Sequence, residues 1–407
     1  MKEKMSAQSA RVLLGSCLLY ACCVGLGANC KGIFFAPVAE AFGVRVSDVT
    51  RANLYYGIAG TLLLPLCSKL FHRDYQKSLL SFLAVYAGSM IAMQWCNSLF
   101  MYCLLNALQG ATGCFLTYYP IQYLINRSAS SYAGTAMGIV LMSSGVVSIV
   151  MNPVCNAVIA AYGWQAGYML IGLLALVICI PAIVFFLRPQ YFGIQKESGD
   201  APKVDLSKVS VSKRKVVLFA ALLTIPLGCF IALPQHCSNY AITIGMGASF
   251  GSLMVSAGMA GNLISKLLFG ALNDRIGVWK TTGLGISSVI LGCILLAASK
   301  NQGGLMAGAF LSGITPALVA LQIPLASRAF LGNDAHEKCY SSICTVTAFA
   351  GSASHYLLAL IYDNSGSYLM VFLVTASTFL ECIAALALFR YHAKKTNSIE
   401  YVRRNCV

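Results

Sequence analysis

Stretches of the chain that carry no Asp, Glu, Lys or Arg alternate with short charged segments from one end to the other. The uncharged stretches are 12–30, 52–68, 78–126, 128–187, 216–265, 281–299, 301–327, 339–362 and 364–380. A helix crossing a bilayer needs about 20 mostly apolar residues, so most of these hold one span each. The stretches of 49, 60 and 50 residues are long enough for two helices and a short uncharged loop. Nine stretches therefore predict twelve helices, near 12–38, 50–70, 77–96, 98–125, 132–160, 165–187, 216–243, 250–271, 279–299, 303–327, 338–362 and 367–389.

Composition turns that pattern into a class. Hydrophobic residues make up 58% and charged residues 10%, against about 25% charged in soluble domains, and the mean hydropathy is +0.74. The expectation is an all-α membrane protein. Lys and Arg outnumber Asp and Glu by 28 to 13, and with twelve spans both termini share a side. That side carries 23 of the 28 basic residues; Lys31, Arg45, Arg51, Lys266 and Lys300 are the others. The excess marks a cytoplasmic face, so the termini are expected there, in a multi-pass cell-membrane protein. Its short loops fit a bacterial inner membrane. Because the basic residues are spread over every inner loop, a nucleic-acid surface is not expected. The first apolar stretch follows Lys2, Lys4 and Arg11 but is longer than the core of a secretory signal, so it is taken as retained. The cysteines, 17 in all, sit mostly within apolar stretches and form no C-x-x-C pair, so no disulfide framework, metal site or cofactor is expected.

The organisation is bipartite. A polar segment at 189–215 separates six predicted spans in 1–188 from six in 216–391, with a tail at 392–407. The loop after the eighth span reads G-x-x-x-D-R-x-G-x-x-K, on Gly270, Asp274, Arg275, Gly277 and Lys280. A shift of 202 residues sets Ser68, His72 and Arg73 against Gly270, Asp274 and Arg275. The halves look like copies. This loop, its degenerate first copy, twelve spans and a central linker resemble the major facilitator superfamily of secondary transporters. The resemblance implies two pseudo-symmetric six-helix bundles, with Gly270, Asp274, Arg275 and Lys280 acting as a gating latch in which Gly270 admits close helix contact and Asp274 faces a helix N-terminus. Gly32 to Phe35, the Arg188 to Ile194 segment and the Tyr362, Asp363, Gly366 to Tyr368 segment are similar to the oxalate/formate antiporter and monocarboxylate transporter families.

A charged side chain inside a bilayer is costly and marks function by default. Lys31 lies in the first span, and Lys266 lies in the eighth with Asn262 one turn earlier. These spans belong to opposite halves, and carriers of this architecture bind substrate between halves, so the two lysines are expected to clamp a small organic anion. The alternative for each is snorkelling to an interface. The resemblance places Asn262 and Lys266 where anion-carrying relatives have an Arg-bearing motif. Thr347 stands where oxalate-type antiporters carry a Lys, which favours a monocarboxylate. Tyr56, Asn106, Gln109, Tyr119 and Gln235 are further candidates to line the cavity, each with a plain packing role as alternative. No buried acid offers itself as a proton carrier; His236 and His355 are better placed, though a lone histidine among apolar residues is often only packed. The expected function is alternating-access transport of a small organic anion, by proton symport or anion exchange, in a monomer. An exporter of hydrophobic or drug-like compounds is the alternative. A haem enzyme is disfavoured because paired ligands are not evident, and nothing in the chain excludes a non-transporting sensor.

Overall fold

The computed structural model describes residues 6–71, 75–128, 133–188 and 212–405. The 189–211 part of the expected linker, the degenerate loop residues His72 and Arg73, and the side chains of Ser68 and Tyr119 lie outside the described residues. Among the described residues all regular structure is helical. Twelve helical segments follow the predicted spans: α1 (Ala7–Phe42), α2 (Val46–Phe71), α3 (Tyr75–Trp95), α4 (Leu99–Gly113 continuing as Tyr118–Ser128), α5 (Ala133–Tyr162), α6 (Trp164–Phe186), α7 (Lys213–Cys229 and Leu233–Thr243), α8 (Gly247–Ile276), α9 (Val278–Ala298), α10 (Gln302–Leu331), α11 (Asn333–Ser365) and α12 (Tyr368–Asn405). Nine of these are long and apolar enough to cross a membrane by themselves, and α7, bent by 40° at its break, makes ten. The first part of α4 is only 15 residues long, and α2 carries Asp48 and Arg51 near its start.

The breaks follow backbone chemistry. Proline cannot return an N–H to the carbonyl four residues earlier, and Pro120, Pro226 and Pro324 each follow an interruption: the gap within α4, a wide turn at Ala220–Thr224 and another at Leu318–Gln322. The turn between α8 and α9 is closed by Gly277 at φ 81°, a conformation side chains resist. That accounts for the second glycine of the loop motif.

Among the described residues two large hydrophobic clusters fill the protein, beside a small one of Ile121, Ile125, Ala136 and Val140. One runs from Val12 to Leu187 and the other from Phe219 to Phe389, with no shared residue. The halves meet where α2 packs on α11, α5 on α8, and α1 on α7. Advancing each helix by six positions exchanges the first two of these seams, as a twofold repeat requires. Glycines permit the closest approaches: a Cβ on Gly110 of α4 would run into the Tyr56 carbonyl of α2, and one on Gly261 of α8 into the Phe310 carbonyl of α10. Gly258 is likewise tight against Pro234. Gly138 of α5, by contrast, has nothing within 4 Å of its Cβ position.

Overpacking a tight helix contact costs about 1–3 kcal/mol. Gly110→Val is therefore expected to lower the thermal unfolding midpoint of the detergent-purified protein by several degrees, whereas Gly138→Ala leaves it unchanged.

Candidate functional site

The candidate site starts from an interruption in α1. After a wide turn at Ala21–Leu26 the helix opens, and it resumes as a tight turn at Lys31–Phe34. Lys31 sits at this join and is only 5% exposed. Its Nζ donates to Asn106 Oδ1 at 3.3 Å and lies 3.7 Å from the centre of the Tyr56 ring. Asn106 is held for this purpose: its Nδ2 donates to the Tyr102 carbonyl one turn back at 3.0 Å, which turns its oxygen toward the ammonium. Tyr102 in turn shares a 2.9 Å hydrogen bond with Tyr168 through their hydroxyls. One turn along α4, Gln109 is fully buried with neither amide atom hydrogen-bonded.

An ammonium held by an amide oxygen and an aromatic face is stabilised by a dipole and a quadrupole, but its charge is not cancelled. Among the described residues no carboxylate reaches it. Asp48 pairs with Arg51 at 2.7 Å and Arg45 at 3.5 Å, and Glu40, Asp274, Asp334 and Glu381 are exposed.

One turn further along α1 is Phe35. Its ring lies 5.5 Å from that of His236 on α7 and 5.3 Å from that of His355 on α11, and the two imidazoles are 5.8 Å apart. His236 is 1% exposed, and neither of its ring nitrogens has a hydrogen-bond partner; Nδ1 of His355 has none either. Beside this layer the halves touch through backbone, since Gly32 faces the Gln235 carbonyl so closely that no Cβ fits. The Gln235 side-chain oxygen is buried and unpartnered.

The structure thus brings Lys31, Tyr56 and Asn106 together, and sets Gln235, His236 and His355 across the seam from Phe35. It does not join the eighth-span residues to them. Asn262 is buried with an unpartnered Oδ1, Lys266 is half-buried, and no hydrogen bond links either to the Lys31 group. Phe35 was not among the expected site residues; its place four residues after Lys31, at the end of the Gly32 to Phe35 segment, is the signal that pointed to it.

The halves are joined at the end where α1 turns into α2. There the Ser47 N–H, in the first turn of α2, donates to Asp363 Oδ2 of α11 at 2.8 Å, and Arg51 of α2 lies 5.7 Å from the Tyr356 ring of α11. Ser256 Oγ of α8 donates to the Ile149 carbonyl of α5 at 2.8 Å. At the opposite end a Cβ on Gly270 would meet nothing within 4 Å, and Asp274, Arg275 and Lys280 are exposed with no ion pair among the described residues. Among the described residues the Gly270 position is open; the loop's counterpart at His72 and Arg73 lies outside them.

Residues 17–330 match the sequence profile of the Major Facilitator Superfamily. The chain belongs to that family. Its relatives include the MFS-type transporter pytF of Aspergillus terreus, 26% identical over 60% of this chain and 71% of that one, and Monocarboxylate transporter 4 of Rattus norvegicus, 25% identical over 53% of this chain. The chain spans about half the length of the latter, 46%. Monocarboxylate transporter 12-B of Danio rerio is 20% identical over 96% of this chain and 90% of its own length. A crystal structure of the nucleoside transporter NupG shares the fold, with a TM-score of 0.74 at 11% identity over 95% of this chain and 100% of that one. The family members named here come from fungi, a rodent and a fish, so they do not tie this chain to a bacterial membrane.

A carboxylate at a helix N-terminus contributes about 1 kcal/mol. Asp363→Ala should accordingly speed amide hydrogen exchange in residues 46–53 of α2 by roughly fivefold, as measured by mass spectrometry, while the start of α4 exchanges as before.

Proposed function

We propose that this chain carries a small organic anion, a monocarboxylate, across the membrane by alternating access, with both termini on the cytoplasmic side. The observation that carries the reading is Lys31: a buried ammonium whose described contacts, Asn106 and Tyr56, are both uncharged. A carboxylate would complete it, gaining a charge-assisted hydrogen bond in a water-poor place. Asn106 and Tyr56 keep the ammonium oriented while the site is empty, and the unpartnered amide of Gln109 offers a further contact on the same helix. Lys266 of α8 joins the anion when the halves close at the Gly270 end and part at the Asp363 end. The monocarboxylate transporters among its relatives support the substrate class, and the unequal spread of basic residues supports the orientation. The coupling ion is a proton, or the anion is exchanged for another.

The Agnestins efflux protein AgnL12 of Paecilomyces divaricatus, 26% identical over 78% of this chain and 72% of its own, favours a second reading, export of hydrophobic or drug-like compounds. The aromatic surround of the site, from Tyr56 and Phe35, is compatible with it. A panel of lipophilic compounds tested beside acetate, lactate and pyruvate separates the two.

In proteoliposomes, Lys31→Ala is expected to cut radiolabelled pyruvate uptake at least tenfold and to abolish stabilisation by pyruvate in thermal unfolding. Lys266→Ala should lose uptake yet keep that stabilisation. Wild-type uptake by the Lys31 variant removes the carboxylate reading.

A further inference from the structure

The imidazoles of His236 and His355 are not used by the anion site just described, and their setting is unusual. Both sit in the half of the protein beyond Lys31, toward the closed end. They come from α7 and α11 of the second half and press on Phe35 of the first, with ring centres 5.5 Å and 5.3 Å from it. Together the three rings form a plug between Lys31 and the Ser47–Asp363 contact. A buried polar group normally finds a hydrogen-bond partner, yet both nitrogens of His236 and one of His355 have none. The two ring centres are 5.8 Å apart, and no hydrogen bond joins the rings. The pair is open to a ligand.

We infer that His236 and His355 form a proton-binding site that controls the opening of the Ser47–Asp363 end of the protein. Neutral, the two imidazoles are flat uncharged partners for Phe35, and the plug holds. Protonated, they place like charges side by side, with the Lys31 ammonium one turn away. Repulsion between cations this close, out of water, exceeds what one ring can return by cation–π attraction. The plug then parts, water reaches the imidazoles, and Lys31 is uncovered from that side. A carboxylate arriving at Lys31 supplies the missing negative charge and lets the plug close again over both. Proton and anion are loaded together, and each returns to water when the other end opens.

Among the described residues no acid lies in contact with the two rings. Besides each other, the pair faces Lys31 on α1 and Tyr368 on α12, whose ring lies 6.4 Å from that of His236; Cys237 follows on α7 itself. On α2 the charges at this end are Arg51 and Asp48, which pair with each other. The charge on α8 toward the other end is Lys266, and α10 brings no charge to this depth. Asp363 lies two turns beyond His355, at the gate, and is the other titratable group of that end.

The coupling half of this inference rests on the anion reading; the proton-controlled gate does not, and the test uses no substrate. Amide exchange in residues 46–53 is measured by mass spectrometry at about pH 5.5 and about pH 8, each corrected for the intrinsic rate. The wild-type protein should open at least tenfold more often at the lower pH, and His236→Gln/His355→Gln should lose that dependence. A wild type with no pH dependence overturns the inference, and so does a double variant that keeps it, since the effect then belongs to Asp363. A second measurement needs no double variant. The chain has five histidines, and with 15N-histidine labelling the single variants H236Q and H355Q assign two of them by NMR. These two must titrate together with gate opening; if they stay neutral while the gate opens, the site is elsewhere. Acid-driven opening in a protein that takes up no pyruvate leaves the proton site standing and removes the carboxylate reading. Pyruvate uptake without acid-driven opening does the reverse.

Discussion

The arrangement depends on one electrostatic constraint: a lysine ammonium is kept out of water without a carboxylate beside it. Burying such a group is unfavourable unless something compensates. Here the compensation is partial and entirely neutral, an amide oxygen and the face of a phenol ring. Each element around Lys31 serves that compromise. The interruption of α1 brings the lysine to the helix join, the close approach at Gly110 draws α2 against α4, and the Tyr102 carbonyl fixes which end of the Asn106 amide faces the charge. The result is a buried lysine whose described contacts are both uncharged.

The two halves divide the work unequally in this conformation. The first half holds the cation and its cradle. The second supplies the histidine pair and, through Asp363, a carboxylate that rests on the first turn of α2 rather than on any lysine. Among the described residues the halves are joined at the Asp363 end, where the Ser47 N–H meets its carboxylate. Helices α1 and α7 occupy equivalent places in the two halves, and each carries a wide turn followed by a break, at Ala21–Leu26 and at Ala220–Thr224. Such turns concentrate at functional positions in helices, and here they flank the seam.

Much of the fold was legible because lipid imposes a one-dimensional code: charge-free length alone located twelve segments, and the broken α4 emerged from the same alternation although neither of its parts is long enough to be recognised in isolation. The interruptions were less legible. Proline accounts for Pro120, Pro226 and Pro324, but no residue type announced the break that delivers Lys31. In the site, depth in the membrane singled out Lys31, His236 and His355, since titratable groups are rare there. Depth does not specify partners. Lys266 is embedded on the same logic as Lys31 yet stands apart from it, because which lysines meet depends on how the two halves pack. Phe35 carried no chemical flag, being one more aromatic residue in an apolar helix.

The Gly32 contact has a consequence for how the halves separate. Where side chains meet, a joint can stretch by degrees as rotamers change and methylenes slide. At Gly32 main chain abuts main chain against the Gln235 carbonyl, and peptide planes have no such slack. That stretch of seam is either made or lost, so it favours a snap between two positions over a continuum of half-open ones.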